Sequence, residues 1–141
     1  MDIAGIGTQV LECVRVRELI EQHGELFLQQ VFTDAEIAWC NSQKHTTEYF
    51  TALWAVKEAA FRAMGLVSRR TCRWRELAVQ GSNITALRLV VHGATREYLE
   101  QHGIGHFLVT AAYCRTFATA TVLALRGRPS SASVNDTTVD L

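Results

Sequence analysis

The chain has 141 residues, 48% of them hydrophobic, and 14 basic side chains balance 14 acidic ones. That length suits one domain with a real core, and the balanced charge argues against binding nucleic acid or a membrane surface through bulk basicity. No apolar run nears the ~20 residues that span a bilayer, and no basic-then-apolar leader opens the chain, so the default compartment is the cytoplasm.

Residues 1–11 read as a strand whose glycines, in GIGTQV, allow close backbone approach. Helical spacing of Val16, Leu19 and Ile20 predicts a helix over 14–23, which Gly24 can stop. A short helix covers 25–31. The next four residues, TDAE, form a capping box: Thr33 caps a helix and Glu36, three residues on, reaches back to the cap. That helix runs to about Ser42. The longest helix follows over 47–64 and closes at Gly65. Tyr49, Leu53, Val56, Ala60 and Met64 lie on one face, with Phe50, Trp54 and Phe61 on an adjoining strip, so the helix is largely buried. Thr51, Ala55, Glu58 and Arg62 share the remaining side, a polar stripe suited to the border of a cleft.

The composition then turns β-branched and apolar. Strands are predicted over 74–80, 86–92, 107–114 and 117–125, with a helix over 94–101 ended by Gly103. The polar segment from Gly127 to the end holds the only proline, Pro129, and reads as a disordered tail over 127–141 behind a domain over 1–126. The sum is an α+β chain with a mostly antiparallel sheet. Cys13, Cys40, Cys72 and Cys114 are scattered without a C-x-x-C, which points to reduced, packed thiols, and the five histidines show no ligand spacing. Asn83-Ile84-Thr85 matches a glycosylation acceptor that a cytoplasmic protein does not use.

Four stretches taken in order carry a resemblance: GIGTQV, Arg15, FTDAE and WAVKEAAFRAMG. They are similar to the G-I/L-G-T-D-I-V-E-I, F-T/S-x-x-E and R-F-A-x-K-E-A-x-x-K-A-x-G patterns of the holo-[acyl-carrier-protein] synthase family of phosphopantetheinyl transferases. The late VTAAYCRTFATATVLAL is similar to that family's last strand pair, so the resemblance runs from Met1 to about Leu125. It implies a 4'-phosphopantetheinyl transferase-like α+β fold, a small antiparallel sheet with a long buried helix, assembled as a trimer with active sites between subunits. It also implies a reaction: the phosphopantetheine arm of coenzyme A moves to a serine of acyl carrier protein, with Mg²⁺ against the pyrophosphate, as hard oxygen chemistry favours. By the same resemblance the carrier protein serves fatty acid biosynthesis or another carrier-protein pathway.

By that resemblance Glu58 is the metal-binding and proton-accepting glutamate and Lys57 the phosphate-side lysine. Arg62 takes the place of a second lysine, Gly65 approaches the cofactor, and Arg15 faces the carrier protein. The departures are equally specific. Gln9 stands where the family has its metal-binding aspartate, Leu53 where it has the arginine of R-F-A, and Tyr113 where it has histidine or aspartate. After Arg15 the expected basic strip carries Glu18, Glu21 and Glu25, with Arg17 as its one added cation. A unit charge pair at about 4 Å is worth ~4 kcal/mol at an effective dielectric of 20, so an amide at position 9 weakens the cation site by orders of magnitude.

Each residue also has a plainer reading: Glu58–Arg62 as a helix-surface ion pair, Gln9 as a hydrogen-bonded strand-end side chain, Arg15 as a solvated arginine. Three functions follow. One is a transferase with a weakened metal site, one a non-catalytic homologue that binds coenzyme A or a partner protein, and one an unrelated α+β interaction module.

Overall fold

The computed structural model describes residues 2–66 and 73–127. Ten regular elements follow one another: β1 (Ile3–Glu12), α1 (Cys13–His23), α2 (Glu25–Val31), α3 (Asp34–Asn41), α4 (Thr46–Ala63), β2 (Leu77–Gly81), β3 (Leu87–Val91), α5 (Gly93–Gln101), β4 (Ile104–Tyr113) and β5 (Phe117–Arg126). The expected α+β class holds. Of the tail predicted over 127–141, residues 128–141 lie outside the described residues.

β5 is the middle strand of an antiparallel sheet ordered β1-β5-β4, and β2 and β3 pair antiparallel as a separate ribbon. Alternation gives the main sheet two faces. Ala118, Ala120, Val122 and Ala124 of β5 are buried under α4. Their partners on β1 include Gly5 opposite Ala124 and Gly7 opposite Val122. A Cβ on Gly5 would stand 1.9 Å from the Ala63 carbonyl oxygen, and one on Gly7 the same distance from that of Ala59. The glycines of the opening motif therefore let the backbone of α4 rest directly on β1, and the buried alanines of α4 and β5 keep the layers close.

α4 also buries Phe50, Leu53, Val56 and Phe61, each at most 1% exposed. Burial of such a side chain contributes about 1.5–3 kcal/mol. Leu53 thus serves the core, where an arginine would leave a charge buried. Gly65 ends α4 at φ +81°, with Leu66 N–H on the Phe61 carbonyl (2.8 Å) and Gly65 N–H on that of Arg62 (3.0 Å), the bonds of a Schellman turn. Tyr98 Oη donates to the Met64 carbonyl at 2.8 Å and fastens α5 to the same helix end.

The strand predicted over 74–80 divides. Trp74–Glu76 form one 3₁₀ turn and the strand begins at Leu77. Tertiary bonds override the local preference: the Glu76 carboxylate accepts from Ala94 N–H (2.9 Å), Thr95 N–H (3.3 Å) and Thr95 Oγ1 (2.9 Å), capping α5 from a distance. Among the described residues no helix is long and apolar enough to cross a membrane.

Candidate active site

A cleft of about 1080 Å³ opens where the end of β1, the first half of α1, α2, the middle of α4 and the 3₁₀ turn meet. Gln9, Leu11 and Glu12 reach it from β1, and Arg15, Val16 and Leu19 from α1. Trp54 and Glu58 reach it from α4, one turn apart on the same side of the helix. One wall is aromatic: Trp54 meets Phe27 edge to face at 5.2 Å between centroids and Trp74 at 6.3 Å.

Gln9 and Glu58 touch. The Gln9 amide Nε2 donates to Glu58 Oε2, and Gln9 Oε1 accepts from the Val10 N–H at 3.2 Å. The amide has to present its N–H₂ to the carboxylate, because two oxygens in contact repel. Among the described residues no three His, Cys, Asp or Glu side chains converge as cation ligands. The pair offers one carboxylate, and the amide turned toward it is a donor where a cation needs a lone pair. These residues do not fit a Mg²⁺ held between two carboxylates. The Glu58–Arg62 ion pair of the plainer reading is not formed either; Glu58 pairs with Gln9.

Lys57 corrects the sequence expectation. Neighbouring helix residues point about 100° apart, so the residue beside Glu58 faces the interior. Its side chain is fully buried, and Nζ donates to Glu36 Oε1 (2.6 Å), the Val31 carbonyl (2.7 Å) and the Trp74 carbonyl (3.1 Å). All three ammonium N–H donors are used, none toward the cleft. Burial pushes the Lys57 pKa down from its ordinary value, and the Glu36 carboxylate beside it opposes that shift. The expected capping box is present: Thr33 Oγ1 accepts from Glu36 N–H (3.2 Å) and Glu36 Oε1 from Thr33 N–H (2.8 Å). Glu36 does more than cap, because its Oε2 also accepts the Val79 N–H at 2.6 Å. Lys57 and Glu36 together tie α2, α3, the 3₁₀ turn and β2 to α4.

The other expected residues divide. Arg15 is exposed and lines the same cleft as Glu58. Arg62 and Gly65 are exposed at the end of α4, beyond the walls formed by described residues. Tyr113 packs on Tyr49 (5.5 Å) and His45 (6.3 Å) away from the cleft. The polar stripe borders the cleft only at Glu58, since Thr51 and Ala55 lie fully buried.

Sequence reasoning missed three residues that line the cleft: Trp74 and Arg75, from the segment read as a strand, and Arg73 just before it. The alternation of arginine and tryptophan in RWRE is the signal that marks them. Arg75 Nη1 donates to the Gln29 carbonyl (3.1 Å) and to its side-chain oxygen, and Nη2 to Asp34 Oδ1 (3.3 Å).

Residues 5–122 match the family model of the 4'-phosphopantetheinyl transferase superfamily. The holo-[acyl-carrier-protein] synthase of Rhodopirellula baltica is 33% identical over 87% of this chain and 98% of its own, and that of Leptospira biflexa 31% over 84% and 93%. The fold matches the solved holo-[acyl-carrier-protein] synthase of Neisseria meningitidis with a TM-score of 0.80 at 22% identity, over 89% of this chain and all of that one. It also matches the Helicobacter pylori structure with a TM-score of 0.74 at 18% identity, over 85% and 99%. With a family model covering most of its length and curated relatives matched nearly end to end, the chain belongs to the 4'-phosphopantetheinyl transferase superfamily.

Proposed function

We propose that this chain transfers the 4'-phosphopantetheine arm of coenzyme A to a serine hydroxyl of an acyl carrier protein. The observation that carries the reading is Glu58, a half-buried carboxylate in a cleft beside exposed Arg15, in a chain of this superfamily. The relatives from Helicobacter pylori and Bacillus anthracis are described in complex with coenzyme A, the latter as its 3',5'-ADP part, which supports coenzyme A as co-substrate. In the transfer the serine oxygen forms a bond to the phosphorus that carries the pantetheine arm. The bond from that phosphorus to the adenosine 3',5'-bisphosphate side breaks, and the serine proton passes to Glu58. A carboxylate within hydrogen-bond reach of a hydroxyl is a competent base for this step.

Trp54, Trp74 and Phe27 give the arm an apolar wall. Arg62 and Gly65 take the nucleotide side. Lys57 holds the scaffold and touches no substrate. Mg²⁺, the cofactor implied by resemblance, finds one carboxylate and an N–H donor at Glu58 and Gln9. The protein works in the cytoplasm as a homotrimer. The outer face of the main sheet supports that assembly: Ile6 is 64% exposed and Val10 58%, and Ile6, Leu123 and Leu108 form one apolar row across the three strands.

The test is incubation with apo acyl carrier protein and coenzyme A, followed by mass spectrometry of the carrier. Addition of the phosphopantetheine mass by the native protein, lost in Glu58→Ala, supports the reading. Absence of transfer by the native protein together with calorimetric binding of coenzyme A overturns it in favour of a non-catalytic coenzyme A binder.

A further inference from the structure

We propose that the pyrophosphate of the co-substrate is met in this cleft by the guanidinium groups of Arg15, Arg73 and Arg75, and not by a divalent cation held between two carboxylates. The inference rests on the functional reading above for the identity of the ligand.

Three observations lead to it. The first is the closed pair: Glu58 already receives the Gln9 amide, so the place of a second carboxylate holds a hydrogen-bond donor. The negative charge of a bound pyrophosphate then needs other cations. The second is convergence. Arg15 comes from α1, and Arg73 and Arg75 come from the two sides of Trp74, yet all three line one cleft with Glu58. Guanidinium forks suit phosphate oxygens and need no metal bridge. Of the three wall carboxylates, Glu76 is committed to the start of α5, and Glu58 receives the Gln9 amide on one oxygen and keeps its charge for the serine proton. Glu12 is exposed at the rim.

The third is the mounting of the arginines. The Trp74 carbonyl is held by buried Lys57 at 3.1 Å, and Glu76 is fixed to α5, so the turn between Arg73 and Arg75 is pinned on both sides. Arg75 is aimed by the Gln29 oxygens and by Asp34, bonds that use Nη1 and part of Nη2. Its Nε–H and the second Nη2 proton stay available, since arginine carries five N–H donors. The Arg75–Asp34 contact is exposed at both ends, 42% and 82%, so a dianionic ligand competes with it easily.

Calorimetry of the native full chain with coenzyme A, in excess Mg²⁺ and in excess EDTA, tests the proposal. Inorganic pyrophosphate and adenosine 3',5'-bisphosphate serve as separate probes. The Kd for coenzyme A is expected to change less than ~3-fold on chelation, and Arg73→Ala and Arg15→Ala each to raise it by ~10-fold, about 1.4 kcal/mol. Both side chains are exposed, so both variants are expected to melt like the native protein. Gln9→Asp is expected to make binding depend on Mg²⁺. Loss of native binding in EDTA, or arginine variants that bind coenzyme A as the native protein does, overturns the proposal even if the carrier is modified. Pyrophosphate binding that falls with Arg73→Ala upholds the arginine site even where coenzyme A itself is not transferred. Adenosine 3',5'-bisphosphate, which lacks the pyrophosphate, is expected to bind with little response to either substitution, and an equal response places the arginines elsewhere.

Discussion

Truncating Lys57 to alanine removes three hydrogen bonds at once and leaves Glu36, 2% exposed, without its counter-charge. The Val31 and Trp74 carbonyls lose the same partner. Breaking a buried ion pair from one side costs about 3–5 kcal/mol, because the remaining charge is stranded in low dielectric. A single domain has a total stability of only about 5–15 kcal/mol, so Lys57→Ala is expected to consume a large part of it. Urea denaturation followed by circular dichroism reads the loss as a fall in the midpoint at unchanged slope. The paired change Lys57→Met with Glu36→Gln removes both charges and is expected to recover at least ~2 kcal/mol of the loss. Coenzyme A affinity of whatever fraction stays folded is expected to fall only modestly, because Lys57 does not reach the cleft and acts on it through the Val31 and Trp74 carbonyls it holds. A Lys57→Ala protein within ~1 kcal/mol of native stability but unable to bind coenzyme A would refute the structural role and return Lys57 to the site.

Gly7→Ala places a methyl group 1.9 Å from the Ala59 carbonyl oxygen, so α4 must lift from β1. A loss of about 1–3 kcal/mol by the same denaturation is expected, and an unchanged midpoint would show that the helix–strand contact is looser than described. Thiol alkylation should be ordered by burial and charge. Backbone N–H groups of Phe117 and Thr116 hold the exposed Cys114 thiol below its ordinary pKa, while burial raises Cys13 and Cys40. Iodoacetamide on the native protein, read by peptide mass spectrometry, is expected to label Cys114 well before Cys13 or Cys40; early labelling of Cys40 would contradict its buried placement.

Much of the fold is legible because its signals are local. Thr33 and Glu36 mark the start of α3 by their spacing alone, and Gly65 marks the end of α4. What spacing leaves open is which side of a buried helix meets which neighbour. Lys57 and Glu58 are adjacent in the chain, and α4 is surrounded, so only the tertiary structure separates the residue in the core from the one in the cleft. The same limit applies to Glu36, legible as a cap but not as the partner of Lys57 and Val79. Arg73 and Arg75 were hidden for another reason. Arg75 lies in a segment of strand composition that forms a 3₁₀ turn because Glu76 bonds to α5, 18 residues further on, and Arg73 caps that turn. Gln9 was legible as a departure from the family pattern. Its consequence, a hydrogen bond to Glu58 where a cation was expected, required coordinates.

The most direct measurement of the central claim is the mass of an acyl carrier protein after incubation with the native chain and coenzyme A, run side by side with Glu58→Ala. The account predicts a carrier heavier by one phosphopantetheine with the native protein and an unmodified carrier with the variant. An unmodified carrier in both, or equal modification in both, would contradict it.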